Sequence, residues 1–229
     1  KRAAKIVVLS NSMKAELAGH VNQLNTITVI HNWAIEHALP IPTSDNPFAI
    51  QHGFQHLFTI QYSGNFGRLH DLETLLDTAS ILIKHPVQFV FIGGGAKQSQ
   101  IDASCEINAL TNILRLLYQP RGTLPYSLGA CDLAAISLIP GAENSIAPCK
   151  FYGILASGRG VVLVARRNCD LAQTVLNAGI GVVVEPGESA ALAEELLQLS
   201  KQPERVQAMG DRAKSLYTER FCRERSITA

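Results

Sequence analysis

Short, nearly unbroken apolar runs separated by helix-length segments constrain this 229-residue chain more than any other feature. LFTIQYSG (57–64), VQFVFIGGG (87–95), ILRLLYQP (113–120), DLAAISLI (132–139), VVLVA (161–165) and GIGVVVEPG (179–187) are the principal runs. A strand that is apolar at successive positions must be covered on both faces, and helices that cross between parallel strands provide that cover. The spacing of roughly 25 to 30 residues is that of βα units and not of a solenoid repeat. The expected fold class is therefore α/β, a doubly wound parallel sheet of Rossmann-like type.

The intervening segments fit. Leu72, Leu75, Leu76, Ala79 and Leu82 fall on one face of a helix. Further helices are expected up to about Asn108, over 124–131, from Pro148, and over 170–178, 189–200 and 203–220. Upstream, IVVLS (6–10) reads as a buried strand, with Ser10, Asn11 or Ser12 available to cap a helix to about His20. TITVIHN (26–32) is β-branched and strand-like. Pro40, Pro42, Thr43, Ser44, Asp45 and Asn46 then give the chemistry of a connection. The expected division is a remnant of one domain over 1–35, a linker over 36–46 and a complete domain over 47–229. The chain does not open on Met, and 5–10 reads as the middle of something already under way, so a fragment is expected.

Composition removes several function classes. A formal net charge of +1 gives no general field to recruit nucleic acid. The five cysteines form no CxxC pair and have no histidine partners at metal-ligand spacing, which suits a reducing compartment. No apolar run reaches membrane-spanning length, and the apolar part of the N-terminus is too short for a signal peptide. No Asp-x-Asp pair offers a divalent ion two carboxylates, so no metal ligand is assigned. There is no GxSxG elbow of the α/β-hydrolase kind.

Two loops carry the candidate chemistry. GNFGRLHD (64–71) joins a strand to a helix: Gly64 and Gly67 allow close approach of a ligand, and Arg68 can fork two donors onto phosphate oxygens. A solvated turn arginine is the bland alternative. The other loop, PGAENSIAPCK (140–150), ends on Lys150 at the start of a helix. A first-turn lysine opposes the helix dipole, and a bound phosphate would reverse that penalty. The amides of Ser145, Ile146 and Ala147 are natural partners for the same anion, and Pro148 suits a first-turn position. Glu143 is open between accepting hydrogen bonds from sugar hydroxyls and being a solvated loop acid. His70 is open between a ligand contact and a neighbour of the helix cap. The glycines at 93–95, Gly94 among them, resemble a nucleotide-approach loop but match neither GxGxxG nor a Walker loop.

Taken together, YSGNFGRLHDLETLL, FIGGG, LLYQP, LPYSLGACDLAAISL, PCKFYGILASGRGVVLVA and AGIGVVVEPGE resemble the donor-binding half of a family 4 glycosyltransferase of GT-B fold, of the colanic-acid and polysaccharide type. The resemblance implies one complete domain of a GT-B pair, the missing N-terminal domain being the acceptor side. It implies sugar transfer from a UDP- or GDP-linked donor to a glycan or lipid-linked acceptor, with retention and without a metal or other cofactor. In that reading Arg68 and Lys150 are the diphosphate cations. Glu143 and Asn144 lie in the sugar-contacting loop, with Gly64, Asn65, Gly67, His70, Gly94, Ser145, Ile146 and Ala147 around the donor. Residence in the cytoplasm is implied as well, with peripheral contact at the inner membrane face through the absent domain. Two glutamates of many family members fall here on Ser145 and Gly153; the chain resembles the subgroup whose signature is Pro-Ser-Lys, with Cys149 where that subgroup has Ser and Gly160 where Pro usually follows Gly-Arg. A nucleotide-sugar epimerase of the same architecture and a non-catalytic nucleotide-binding module are the alternatives.

Overall fold

The computed structural model describes residues 4–20, 26–34, 38–39 and 41–228. The chain starts with a small β-α-β unit: β1 (Ile6–Val8), α1 (Asn11–Ala18) and β2 (Ile27–Val29), with β1 and β2 paired in parallel. Ser10 is the cap of α1, its side chain accepting from the Met13 amide at 3.1 Å. Residues 36, 37 and 40 of the expected linker lie outside the described residues. The stretch from Ile41 to Asn46 is packed onto the domain. Arg159 donates to the Ile41 carbonyl at 2.9 Å, and buried Asn46 caps the short helix α2 (Pro47–Gln51) while donating to the Tyr126 carbonyl.

From there strand and helix alternate as β3 (Phe58–Asn65), α3 (Glu73–Ile81), β4 (Val87–Gly94), α4 (Gln98–Ile107), β5 (Ile113–Leu116), α5 (Leu124–Ser127), β6 (Leu133–Ser137), α6 (Cys149–Ala156), β7 (Gly160–Val164), α7 (Asp170–Asn177), β8 (Gly181–Val184), α8 (Ser189–Leu199) and α9 (Pro203–Leu216). The last expected helix is not continuous: α9 passes into a π-helical turn, Tyr217–Phe221, and then α10 (Arg223–Thr228). Tyr217 and Phe221 are both buried there, and the wider turn brings Phe221 edge-on to Phe151 and Tyr152. No helix among the described residues is long and apolar enough to cross a membrane.

The six strands lie in the order β5-β4-β3-β6-β7-β8, all parallel. Successive residues face opposite layers, which is why the runs had to be apolar throughout. Val162 and Val164 pack with α3 and α8, whereas Val161 and Leu163 pack with α6, α7 and α9. Each such fully buried aliphatic side chain contributes about 1.5–3 kcal/mol relative to exposure.

Strand order reverses at β3, which pairs with β4 on one side and β6 on the other. The β3–β4 ladder runs the whole way from Phe58–Val87 to Asn65–Gly94. The β3–β6 ladder has only two pairs, Ile60–Leu133 and Gln61–Ala134. Both strands continue past that point, so their carboxyl ends part and leave a crevice. Ligands bind in open α/β sheets at such a reversal.

Candidate functional site

The crevice between β3 and β6 holds a cavity of about 70 Å³ lined by Gln61, Ser63, Ala134, Ala135 and Lys150, among others. Lys150 enters it from the first turn of α6, a helix with no side-chain cap. Its Nζ is buried and has no hydrogen-bond partner. The ammonium rests 3.5 Å from the centroid of the Tyr62 ring. It also lies against Gly64, where an added Cβ would be 3.8 Å from Nζ. Burial draws the Lys150 pKa down to about 7, because a charge removed from water without a compensating anion is destabilised.

Arg68 sits in the turn after β3, on the same rim. It is exposed and makes no hydrogen bond or ion pair within the described residues. Asn65, also exposed, closes β3, and an added Cβ at Gly67 would lie 3.1 Å from Asn65 Nδ2. Arg68 and Lys150 thus come from different loops to one end of one strand. Among the described residues no ion pair ties down either charge.

His70 is part of the framework of this rim. Its Nδ1 is 2.7 Å from the Tyr62 hydroxyl, 2.9 Å from the Asn65 carbonyl and 3.2 Å from the Gly67 amide. Burial first, and then the Lys150 charge, hold its pKa below the usual value. Asp71, not His70, supports the start of α3, its Oδ1 accepting from the Thr74 amide at 2.9 Å. Gly94 ends β4 beside Tyr118, whose hydroxyl donates to its carbonyl at 3.1 Å. Its neighbour Gly93 serves strand packing.

Two expectations for the second loop need correction. Ser145 and Ile146 do not present open amides: both donate to the Ala142 carbonyl at 3.0 Å, closing a turn. Of the three expected amides, that of Ala147 has no hydrogen-bond partner among the described residues. Glu143 is no solvated loop acid either. Its side chain is 1% exposed, and Arg166 Nε donates to its Oε1 at 2.6 Å. Burial pushes the Glu143 pKa up, but the hydrogen bond and charge of Arg166, together with nearby backbone amides, outweigh it and hold the carboxyl below its usual range. Oε2 is buried without a partner. Asn144 lies in the same turn, Ala142–Asn144; its side chain is outside the described residues.

Glu143, Ile146 and Ala147 line a separate cavity of about 480 Å³, between the β-α-β unit and the main sheet. Ser10, Asp170 and Arg220 line it too, and the Ser12 amide donates to Asp170 Oδ2 at 2.6 Å across the junction. The candidate residues therefore divide into a cationic rim at the crevice and an acid in the larger cavity. Residue patterns did not single out Tyr62 or Arg166. Tyr62 had one legible signal, its position two residues before Gly64, which puts both on one face of the strand. Among the described residues no three His, Cys, Asp or Glu side chains group so as to hold a metal ion.

Comparison with known proteins points the same way. The model of the family "Glycosyl transferases group 1" matches residues 49–216. WbjE of Pseudomonas aeruginosa, a probable glycosyltransferase, is 27% identical over 192 residues, covering 83% of this chain and 48% of that protein. WcaI of Escherichia coli K12, a putative colanic acid biosynthesis glycosyl transferase, is 30% identical over 140 residues, 61% of this chain and 34% of that one. The chain thus spans half or less of these curated relatives. Among solved structures, Anabaena Alr3699/HepE in complex with UDP-glucose superposes with a TM-score of 0.81 at 16% identity, covering 100% of this chain and 62% of that one. That likeness shows a shared fold.

Proposed function

Because this chain belongs to the group 1 glycosyl transferases, we propose that it forms the donor-binding part of an enzyme that moves a sugar from a nucleoside diphosphate to a glycan or lipid-linked acceptor. The observation that carries the reading is the pair of unneutralised cations at the crevice, exposed Arg68 and the buried Lys150 ammonium without an acceptor. A buried ammonium with nothing to pair it costs stability. A diphosphate would supply the missing charge. As the glycosidic bond breaks, negative charge grows on the leaving diphosphate, and fixed cations and amides in a partly dry site stabilise it most. Arg68, Lys150 and the Ala147 amide fill that role in this proposal, with no metal required and with retention of configuration.

The sugar would extend toward the larger cavity, where the unpartnered Glu143 Oε2 can accept from a hydroxyl. Arg166 keeps that carboxylate ionised and so restricts it to accepting. Uridine is the first choice of base, since the similar Anabaena fold was solved with UDP-glucose. A second domain would bring the acceptor, working at the cytoplasmic face of a membrane, and closure of the two would complete the site.

Calorimetry with UDP tests the assignment. Arg68→Ala is expected to weaken binding about tenfold, the equivalent of one charged hydrogen bond, with little change in melting temperature because the side chain is exposed and unpartnered. Wild-type affinity in both Arg68→Ala and Lys150→Ala would reject the diphosphate site. Activity that survives EDTA is the expected result for the full-length enzyme, and loss restored by a divalent ion would remove the metal-free step.

A further inference from the structure

We propose that Tyr62 is a positioning residue for donor binding, its ring face seating the Lys150 ammonium so that it stays charged and aimed at the carboxyl end of β3. The inference rests on the proposed donor site. Lys150 Nζ has no hydrogen-bond partner, and the Tyr62 ring centroid is 3.5 Å away. The ring cannot turn aside. Tyr62 is 1% exposed, its hydroxyl is held 2.7 Å from His70 Nδ1, and its ring stacks on Phe91 at 6.0 Å and 29°. Gly64, two residues on, has no side chain to block the ammonium from the rim.

An aromatic seat does something a carboxylate cannot. A carboxylate beside Lys150 would neutralise it and repel an incoming diphosphate. A ring attracts the cation through its quadrupole without carrying net charge, and most strongly in a desolvated site. The groups facing Lys150 are in keeping. Gln61 and Ser63 from β3 are uncharged, and no carboxylate pairs with the ammonium among the described residues. Burial pushes the Tyr62 phenol up, so it stays neutral, and His70 is held low. Besides exposed Arg68, the rim carries Lys97, which donates to the His70 carbonyl and is paired with Glu73 at 3.0 Å. Burial alone favours the neutral amine of Lys150, and the ring opposes that loss of charge. Weakening the ring should therefore move the titration of Lys150 to lower pH, and with it the pH above which UDP binding fails.

The test keeps the shape of the site. Tyr62→Phe is the reference, and phenylalanines bearing one to four ring fluorines are then placed at position 62, which drains the ring face stepwise. Two quantities are read: the titration of ¹⁵N-labelled Lys150 by NMR in the ligand-free protein, and UDP affinity by calorimetry from pH 6 to 9. The expected result is a stepwise fall in the Lys150 titration point together with a loss of UDP affinity at pH 8, about tenfold across the series. In a Lys150→Met background the series should leave UDP affinity flat, because the effect acts through Lys150. A constant titration point, or unchanged affinity despite a moving one, would overturn the seat. Equal losses with and without Lys150 would overturn it as well. Wild-type UDP affinity in Lys150→Met itself would instead reject the donor site on which the seat depends.

Discussion

Lys150→Met should weaken UDP binding by well over tenfold and at the same time raise the melting temperature. The two effects share one cause. Burial lowers the Lys150 pKa from 10.5 to about 7. Below about pH 7 the lysine is charged in both the folded and unfolded chain, and the fold bears the full cost of burying it. Between pH 7 and 10.5 the unfolded chain binds the proton and the folded one does not, so stability rises with pH and the penalty is progressively relieved. Methionine fills similar space without charge. Its stabilising effect, on the order of a few kcal/mol, is therefore largest below pH 7 and fades toward pH 10. A chain of this size gains about 2–4 °C per kcal/mol, so melts at pH 6 should rise by several degrees. Wild-type UDP affinity is expected to show the opposite trend, falling as pH rises through 7 and the ammonium loses its proton. A variant that melts lower at pH 6 would contradict a buried, unpaired ammonium in the crevice, as would UDP binding in the wild type that strengthens with pH.

Gly93→Ala should be the most damaging single methyl group near the site. Gly93 has φ +136°, in the region that favours glycine, and an added Cβ would collide with the Gly64 carbonyl oxygen and come 2.9 Å from the Gly64 carbonyl carbon. Both obstacles are backbone in the adjoining strand, paired with Gly93 in register, so neither can step aside. Strain and overpacking together cost about 4 kcal/mol or more. The expected outcome is a fall of about 10 °C or more in melting temperature, or loss of soluble protein, with UDP binding gone because the end of β3 is displaced. Gly122→Ala is the matched control. No atom lies within 4 Å of a Cβ there and φ is not positive, so its melt should coincide with wild type. Similar melts for the two variants would show that the β3–β4 contact is less tight than described.

Much of the fold was legible because its strands are buried on both faces. Once Val161 to Val164 must be covered above and below, a parallel sheet wrapped by helices is nearly the only solution. The rim was legible for a related reason: glycines and a cation at the end of an apolar run mark a strand meeting a ligand loop, which brought Gly64, Arg68 and Lys150 forward. The remainder depended on contacts that spacing does not encode. Glu143 and Arg166 are 23 residues apart and pair only because their loops end adjacent strands. The turn that occupies the Ser145 and Ile146 amides depends on left-handed Gly141, φ +89°, and reads locally like an open loop. The π-helical turn at 217–221 arises from aromatic packing and not from any break in helical periodicity.

The scarcity of rungs between β3 and β6 has a mechanical consequence. The β3–β6 ladder that joins the first half of the main sheet to the second has only two residue pairs, and Arg68 belongs to one half while Lys150 belongs to the other. A diphosphate gripped by both would act as a rivet across that short ladder. Nucleotide occupancy would then be felt far beyond the rim, as resistance of the two halves to being pulled or melted apart.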